Sequence, residues 1–191
     1  MGEAEGGGSE DLRRKVRRAA HMLLLRSHAK PGVKGWELKR ALGKDYKVAL
    51  RLLNEELADI GFRIVAKAPD GRDASEEEYG EATFYVTFRE PPDWPEIRGS
   101  GWRIDELAAL AACVALISAK GGRASREELE DLLKSKLPEW KVPGILTRLI
   151  RAGYLSETDE GVEVGWRTRV EIDVEHLLRL LLGSRGASGE R

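Results

Sequence analysis

At 191 residues the chain is long enough for one ordinary domain or two small ones. Charged residues make up 34% and hydrophobic residues 41%, a balance that excludes a wholly disordered or fibrous chain. Lys and Arg number 32 against 33 Asp and Glu, so the net charge of -1 gives no global attraction to nucleic acid, and any such contact needs a local basic patch. Residues 1–8 are Gly-rich and acidic and residues 183–191 are mostly Gly, Ser and Arg, so both are expected to be disordered tails. The first helix is expected from about Ser9, with Leu12, Val16, Ala19, Leu23 and Leu24 at helical spacing and Arg13, Arg14, Arg17 and Arg18 on the other side. Lys30-Pro31-Gly32 breaks it.

A short helix over Trp36 to Leu42 follows, and Gly43-Lys44-Asp45 leads into a third with Ala49, Leu52, Leu53, Leu57 and Ile60 on one stripe and Gly61 as its C-terminal cap. Two β-rich runs come next, Phe62 to Lys67 and Thr83 to Phe88, separated by a polar, acidic loop from Pro69 to Glu81 that is too long for a tight hairpin. Three helices followed by a two-stranded wing is the winged-helix order, here expected over residues 9–89. Residues 90–102 hold Pro91, Pro92, Pro95 and Gly99-Ser100-Gly101, a composition that resists helix and predicts an inter-domain linker.

The order then repeats over residues 103–182. A helix around Asp105 to Ala119 and a turn at Gly121-Gly122 precede Ser125-Arg126-Glu127-Glu128, a capping-box pattern that opens a helix. A third helix from about Val142 to Ala152 ends at Gly153, and short strands near Tyr154 to Ser156 and Val162 to Trp166 turn at Glu160-Gly161. Glu37-Leu38 aligns with Glu128-Leu129 and Ile60-Gly61-Phe62 with Ala152-Gly153-Tyr154, offsets of 91 and 92 residues. Val174, Leu177, Leu178 and Leu181 make a closing amphipathic helix, expected to cover its own domain. The fold class is therefore mainly α with small β wings, arranged as tandem winged-helix domains.

Catalytic and cofactor signals are missing. His21, His28 and His176 lie far apart, there is no Cys pair, and no phosphate-binding or dinucleotide-binding glycine pattern occurs. The run Ser75-Glu76-Glu77-Glu78 is expected to be solvated rather than catalytic. No cofactor or metal is expected, and the expectation is a protein that is not an enzyme. Cys113 lies in the apolar run Leu107 to Ile117 and predicts a buried inert thiol. That run is far shorter than the roughly 20 residues that span a bilayer, and charged residues stand where a signal peptide would be apolar. An intracellular protein away from the membrane is expected. The third helix of the first domain carries Lys47 and Arg51 but also Glu55, Glu56 and Asp59, which suits a protein partner better than phosphate. In the second domain Lys141, Arg148 and Arg151, with Arg167 and Arg169 past the wing, form the candidate DNA-binding set.

Several strings resemble the MAGE homology domain, the fold of the MAGE proteins and of the third non-SMC subunit of the SMC complex active in DNA repair. The resemblance covers about residues 12–182. It is carried by His21-Met22-Leu23-Leu24-Leu25, Lys44-Asp45-Tyr46-Lys47 and Ile60-Gly61-Phe62-Arg63-Ile64 in the first half. In the second half it is carried by the stretch from Ala115 to Leu129, by Gly153-Tyr154-Leu155 and by Gly165-Trp166-Arg167-Thr168-Arg169. The family's Trp-Gly-Pro-Arg order in that last segment is not reproduced. The bacterial segregation and condensation protein B, which also pairs two winged helices and binds a kleisin, is a related alternative.

The resemblance implies a non-catalytic subunit of an SMC-type chromosome maintenance, segregation or DNA repair complex, associated with the chromosome. Leu23, Leu24 and Leu25 would dock a second winged-helix subunit, in some members one bearing a RING ubiquitin-ligase domain. A groove near Leu129, Leu132, Leu133, Ile145 and Leu149 would receive a kleisin helix, the SMC ATPase would be reached indirectly, and the basic face would touch duplex DNA. Read from the residues alone, the same leucines could equally be core. The alternative function is a winged-helix DNA-binding transcriptional regulator, motivated by Lys141, Arg148 and Arg151.

Overall fold

The computed structural model describes residues 4–25, 31–90, 94–99 and 101–183. The chain divides into two compact units, Met1–Pro91 and Pro92–Arg191. Each is built on three helices and a three-stranded antiparallel sheet, giving a mainly helical fold with small β wings.

In the first unit, α1 (Ala4–Leu25), α2 (Gly35–Leu42) and α3 (Tyr46–Ala58) pack through Val16, Ala19, Leu23, Leu38, Leu42, Ala49, Leu50, Leu53 and Leu57. Burial of each such leucine contributes on the order of 1.5–3 kcal/mol. β1 (Val33–Lys34), β2 (Phe62–Lys67) and β3 (Thr83–Phe88) form the sheet in the order β1-β3-β2. Phe62 pairs with Phe88 across the wing, and their rings stack 5.3 Å apart.

Two expectations are corrected here. The helix begins at Ala4 rather than near Ser9, because extending an established helix adds a hydrogen bond for each residue ordered; of the expected tail, residues 1–3 lie outside the described residues. Ile60 is exposed beyond the end of α3, since the chain has already turned there toward Gly61. The acidic loop is not structureless: Lys67 bridges to Asp73, and a 3-10 turn spans Glu78–Gly80. Within it Glu78 accepts from the Ser75 amide at 3.0 Å and pairs with Arg72, which holds its carboxyl at about 2.

Within residues 90–102, where composition predicted a helix-resisting linker, the chain forms α4 (Trp94–Gly99). Pro95 occupies its first turn, where a missing amide donor costs nothing because first-turn amides have no intrahelical acceptor. The expected C-terminal tail beyond Gly183 lies outside the described residues.

The second unit repeats the first. α5 (Ile104–Ala119), α6 (Arg126–Lys134) and α7 (Val142–Arg151) enclose a core of Leu110, Cys113, Val114, Ile117, Leu129, Leu133, Ile145, Leu146 and Leu149. β4 (Arg123–Ala124), β5 (Leu155–Thr158) and β6 (Gly161–Val164) take the order β4-β6-β5, the same topology as β1-β3-β2. The Ser125 hydroxyl accepts from the Glu128 amide at 3.1 Å while Glu128 accepts from the Ser125 amide at 2.9 Å, the reciprocal cap that the sequence predicts. Trp166 does not end a strand; it opens α8 (Trp166–Glu171), whose Thr168 hydroxyl donates to the Tyr154 carbonyl at 2.6 Å. α9 (Val174–Gly183) then lays Val174 and Leu177 against the core of its own unit, leaving Leu180 and Leu181 outward.

Candidate interaction surfaces

α7 occupies the place of a winged-helix third helix. Its inner face, Val142, Ile145, Leu146 and Leu149, is buried, while Pro143, Gly144, Thr147, Arg148 and Arg151 face outward and line an open depression of about 690 Å³. Gly144 also lines a neighbouring depression of about 300 Å³ bounded by Arg103, Asp105, Trp140 and Lys141. Trp140 is 79% exposed and Ile104, at the start of α5, is 69% exposed. A large apolar side chain such as Trp140, held in water beside a depression that Gly144 lines, is suited to covering by another chain. Sequence reasoning missed both residues, although Trp140 stands out as an aromatic between Glu139 and Lys141, off any helical stripe.

The basic residues on this face are largely engaged. Arg148 donates to Glu106 at 2.8 Å and to the Gly101 carbonyl at 2.8 Å, and lies 4.6 Å over the Trp102 ring. Lys141 pairs with Asp105 at 3.0 Å; with help from Arg103 it lowers that carboxyl to about 2. Arg167 bonds Glu171 at 2.7 Å and lies over Tyr154, and Arg169 approaches Glu163 at 3.9 Å. Only Arg151 of the five predicted DNA-contact residues has no acidic partner among the described residues. Of the predicted set Lys141, Arg148, Arg151, Arg167 and Arg169, all but Arg151 are thus engaged in ion pairs inside the unit. Two of the four counter-charges, Asp105 and Glu106, come from carboxylates distant in sequence.

The predicted leucine sites separate in the same way. Leu129, Leu133, Ile145 and Leu149 are core, so they cannot line an open groove; Leu132 is half-buried. They face inward because each lies on the helix stripe that packs against α5 and the sheet. On α1, Leu23 is buried, whereas Leu24 is 46% and Leu25 69% exposed. The last two face water at the helix end.

In the first unit a depression of about 420 Å³ lies between α3 and the wing, lined in part by Lys47, Arg51, Asn54, Glu76 and Tyr79. Two of its polar residues are engaged locally: Lys47 donates to the Glu76 carbonyl at 2.8 Å, and Asn54 accepts from the Ile64 amide at 2.7 Å. Burial raises the thiol of Cys113 to about 12, leaving it protonated and unreactive at neutral pH. Among the described residues there is no His, Cys, Asp and Glu cluster that could hold a metal, and no helix is long and apolar enough to cross a membrane.

No family model matches the chain, and no curated protein matches it. Among solved structures, a chain of the Nse1-Nse3-Nse4 complex is similar, with 16% sequence identity and a TM-score of 0.53. The similarity covers 74% of this chain and 59% of that one, so this chain spans less than two thirds of its neighbour's length. At that identity the likeness is one of fold, and it agrees with the mainly helical, winged architecture described above.

Proposed function

We propose that the protein is a non-catalytic subunit of an SMC-type chromosome complex that binds a kleisin and a second winged-helix subunit, acts inside the cell on the chromosome, and contacts duplex DNA. The observation that carries this reading is the fold likeness to a chain of the Nse1-Nse3-Nse4 complex, over repeated winged-helix units. The resemblance of local strings to the MAGE homology domain points the same way.

Two exposed apolar sites match two protein partners. Leu24 and Leu25, exposed at the end of α1, would meet the second winged-helix subunit, in the manner that the resemblance implies for that helix. On the second unit, exposed Trp140 beside the Gly144 floor, with Ile104 exposed at the start of α5, replaces the core leucines as the surface for a kleisin helix. An amphipathic helix laid there would bury its apolar stripe on Trp140 and Ile104 and present an acidic residue to Arg151.

Affinity purification of the tagged protein from its native host, with mass spectrometry of what accompanies it, tests the reading. Recovery of an SMC ATPase with a kleisin is expected, and Trp140→Ala with Ile104→Ala should lose the kleisin while keeping a normal unfolding transition. Recovery of transcription components alone would replace this reading with the regulator.

A further inference from the structure

α1 carries an arginine stripe that is neutralised only in part among the described residues. Val16, Ala19 and Leu23 face the core, and Arg13, Arg14, Arg17, Arg18 and His21 are all exposed. Arg13–Arg17 and Arg14–Arg18 are i,i+4 pairs, each separated by about 6 Å of helix rise, so the side chains form two adjacent rows. Arg14 pairs with Asp11, whose carboxylate also holds Lys15 at 2.7 Å. Arg13, Arg17 and Arg18 have no acidic partner among the described residues. By contrast Arg103, Arg123, Arg126, Arg148 and Arg167 of the second unit each reach a carboxylate at 2.7–3.1 Å.

Like charges stacked at i,i+4 repel, and past Glu10 and Asp11 near its start the helix carries no further acid to offset Arg17 and Arg18. The repulsion is relieved when a polyanion lies along them. Guanidinium forks match phosphate oxygens in pairs, and the residues between Arg13 and Arg18 that face outward include no apolar anchor of the kind a protein interface needs at its centre. Exposed apolar side chains begin only at Leu24 and Leu25, near the helix end.

We infer that the outer face of α1, through Arg13, Arg17 and Arg18, is a sequence-independent binding site for the phosphate backbone of duplex DNA. The inference deepens the DNA-contact part of the proposed function and places that contact on the first unit rather than on α7. Its failure is separable from failure of the subunit reading, because partner co-purification does not depend on it.

Fluorescence anisotropy of a labelled duplex of about 20 base pairs, titrated with the full chain at several salt concentrations, tests the site. Arg13→Glu, Arg17→Glu and Arg18→Glu together should weaken binding at least about tenfold and reduce the slope of log affinity against log salt by about 2.7, roughly 0.9 for each phosphate no longer neutralised. Circular dichroism and thermal unfolding of the triple variant report that it is folded, and a triple alanine variant gives the same readout should reversal disturb α1. Arg151→Glu is expected to change affinity far less. Binding that is unchanged in the folded triple variant overturns the inference. So does displacement of wild-type protein from DNA by polyglutamate as readily as by unlabelled duplex, which would assign the stripe to an acidic protein.

Discussion

Arg148 and Glu106 meet at 2.8 Å across the second unit, and Glu106 is among the few buried charged side chains of the described residues. Glu106 also accepts from the Arg103 amide at 3.0 Å, so one carboxylate caps α5 and ties α7 to it. An arginine placed where a winged helix would meet DNA is here part of the unit's own framework. Arg148→Ala should therefore destabilise the second unit by about 1–2 kcal/mol, because it leaves a buried carboxylate short of a partner. Arg151→Ala should stay within about 0.5 kcal/mol of wild type. Urea unfolding of the two variants makes the comparison; equal stabilities would mean the ion pair contributes nothing.

The adjacent leucines of α1 predict opposite outcomes. Leu23 is core, so Leu23→Ala should cost about 2–4 kcal/mol. Leu24→Ala with Leu25→Ala should leave the thermal midpoint nearly unchanged and remove the second winged-helix subunit from the purified complex. Retention of that subunit by the folded double variant would show that it docks elsewhere.

Acid should weaken the fold through two carboxylates. Lys141 and then Arg103 hold Asp105 at about 2, and Arg72 with the Ser75 amide holds Glu78 at about 2. Both values lie below those of unfolded carboxyls, near about 4. The stabilisation is therefore fully present above about pH 4.5 and is lost as the pH falls toward about 2. Unfolding free energies measured across that window should drop, and Asp105→Asn should flatten the part of the drop due to the second unit. Because both groups are only partly buried, added salt should reduce the effect.

Gly153 and Trp166 are in direct contact: a Cβ at position 153 would sit 2.4 Å from the indole Nε1, and Gly153 has a φ of 83°. The Arg167 amide donates to the Gly153 carbonyl at 3.0 Å, and the Gly165 amide to the Tyr154 carbonyl at 2.7 Å. Gly153→Ala combines left-handed backbone strain with a collision against a ring and should cost about 2–4 kcal/mol. Thermal unfolding with tryptophan fluorescence follows both the destabilisation and the displaced ring. An unchanged midpoint and spectrum would refute the packing.

Much of the fold was legible from sequence because its signals are local. The stripe Val16, Ala19, Leu23 needs only helical spacing, the Ser125–Glu128 cap needs only neighbours within one turn, and β2 and β3 are marked by runs of apolar and β-branched residues. The resemblance of Gly153-Tyr154-Leu155 and Gly165-Trp166 to family strings was also visible, but not that the two strings close on each other. β1 and β4, at two residues each, carry too little pattern to be read and exist because β3 and β6 offer them edges.

The order of helices and wings could be read along the chain, since periodicity, caps and turns depend on near neighbours. Folding in three dimensions settled which cations are engaged by Asp105, Glu106 and Glu163, which leucines are core, and that Trp140 and Ile104 face water. Counter-charge and burial are set mostly by residues tens of positions away, and no local spacing reports which of them folding will bring near.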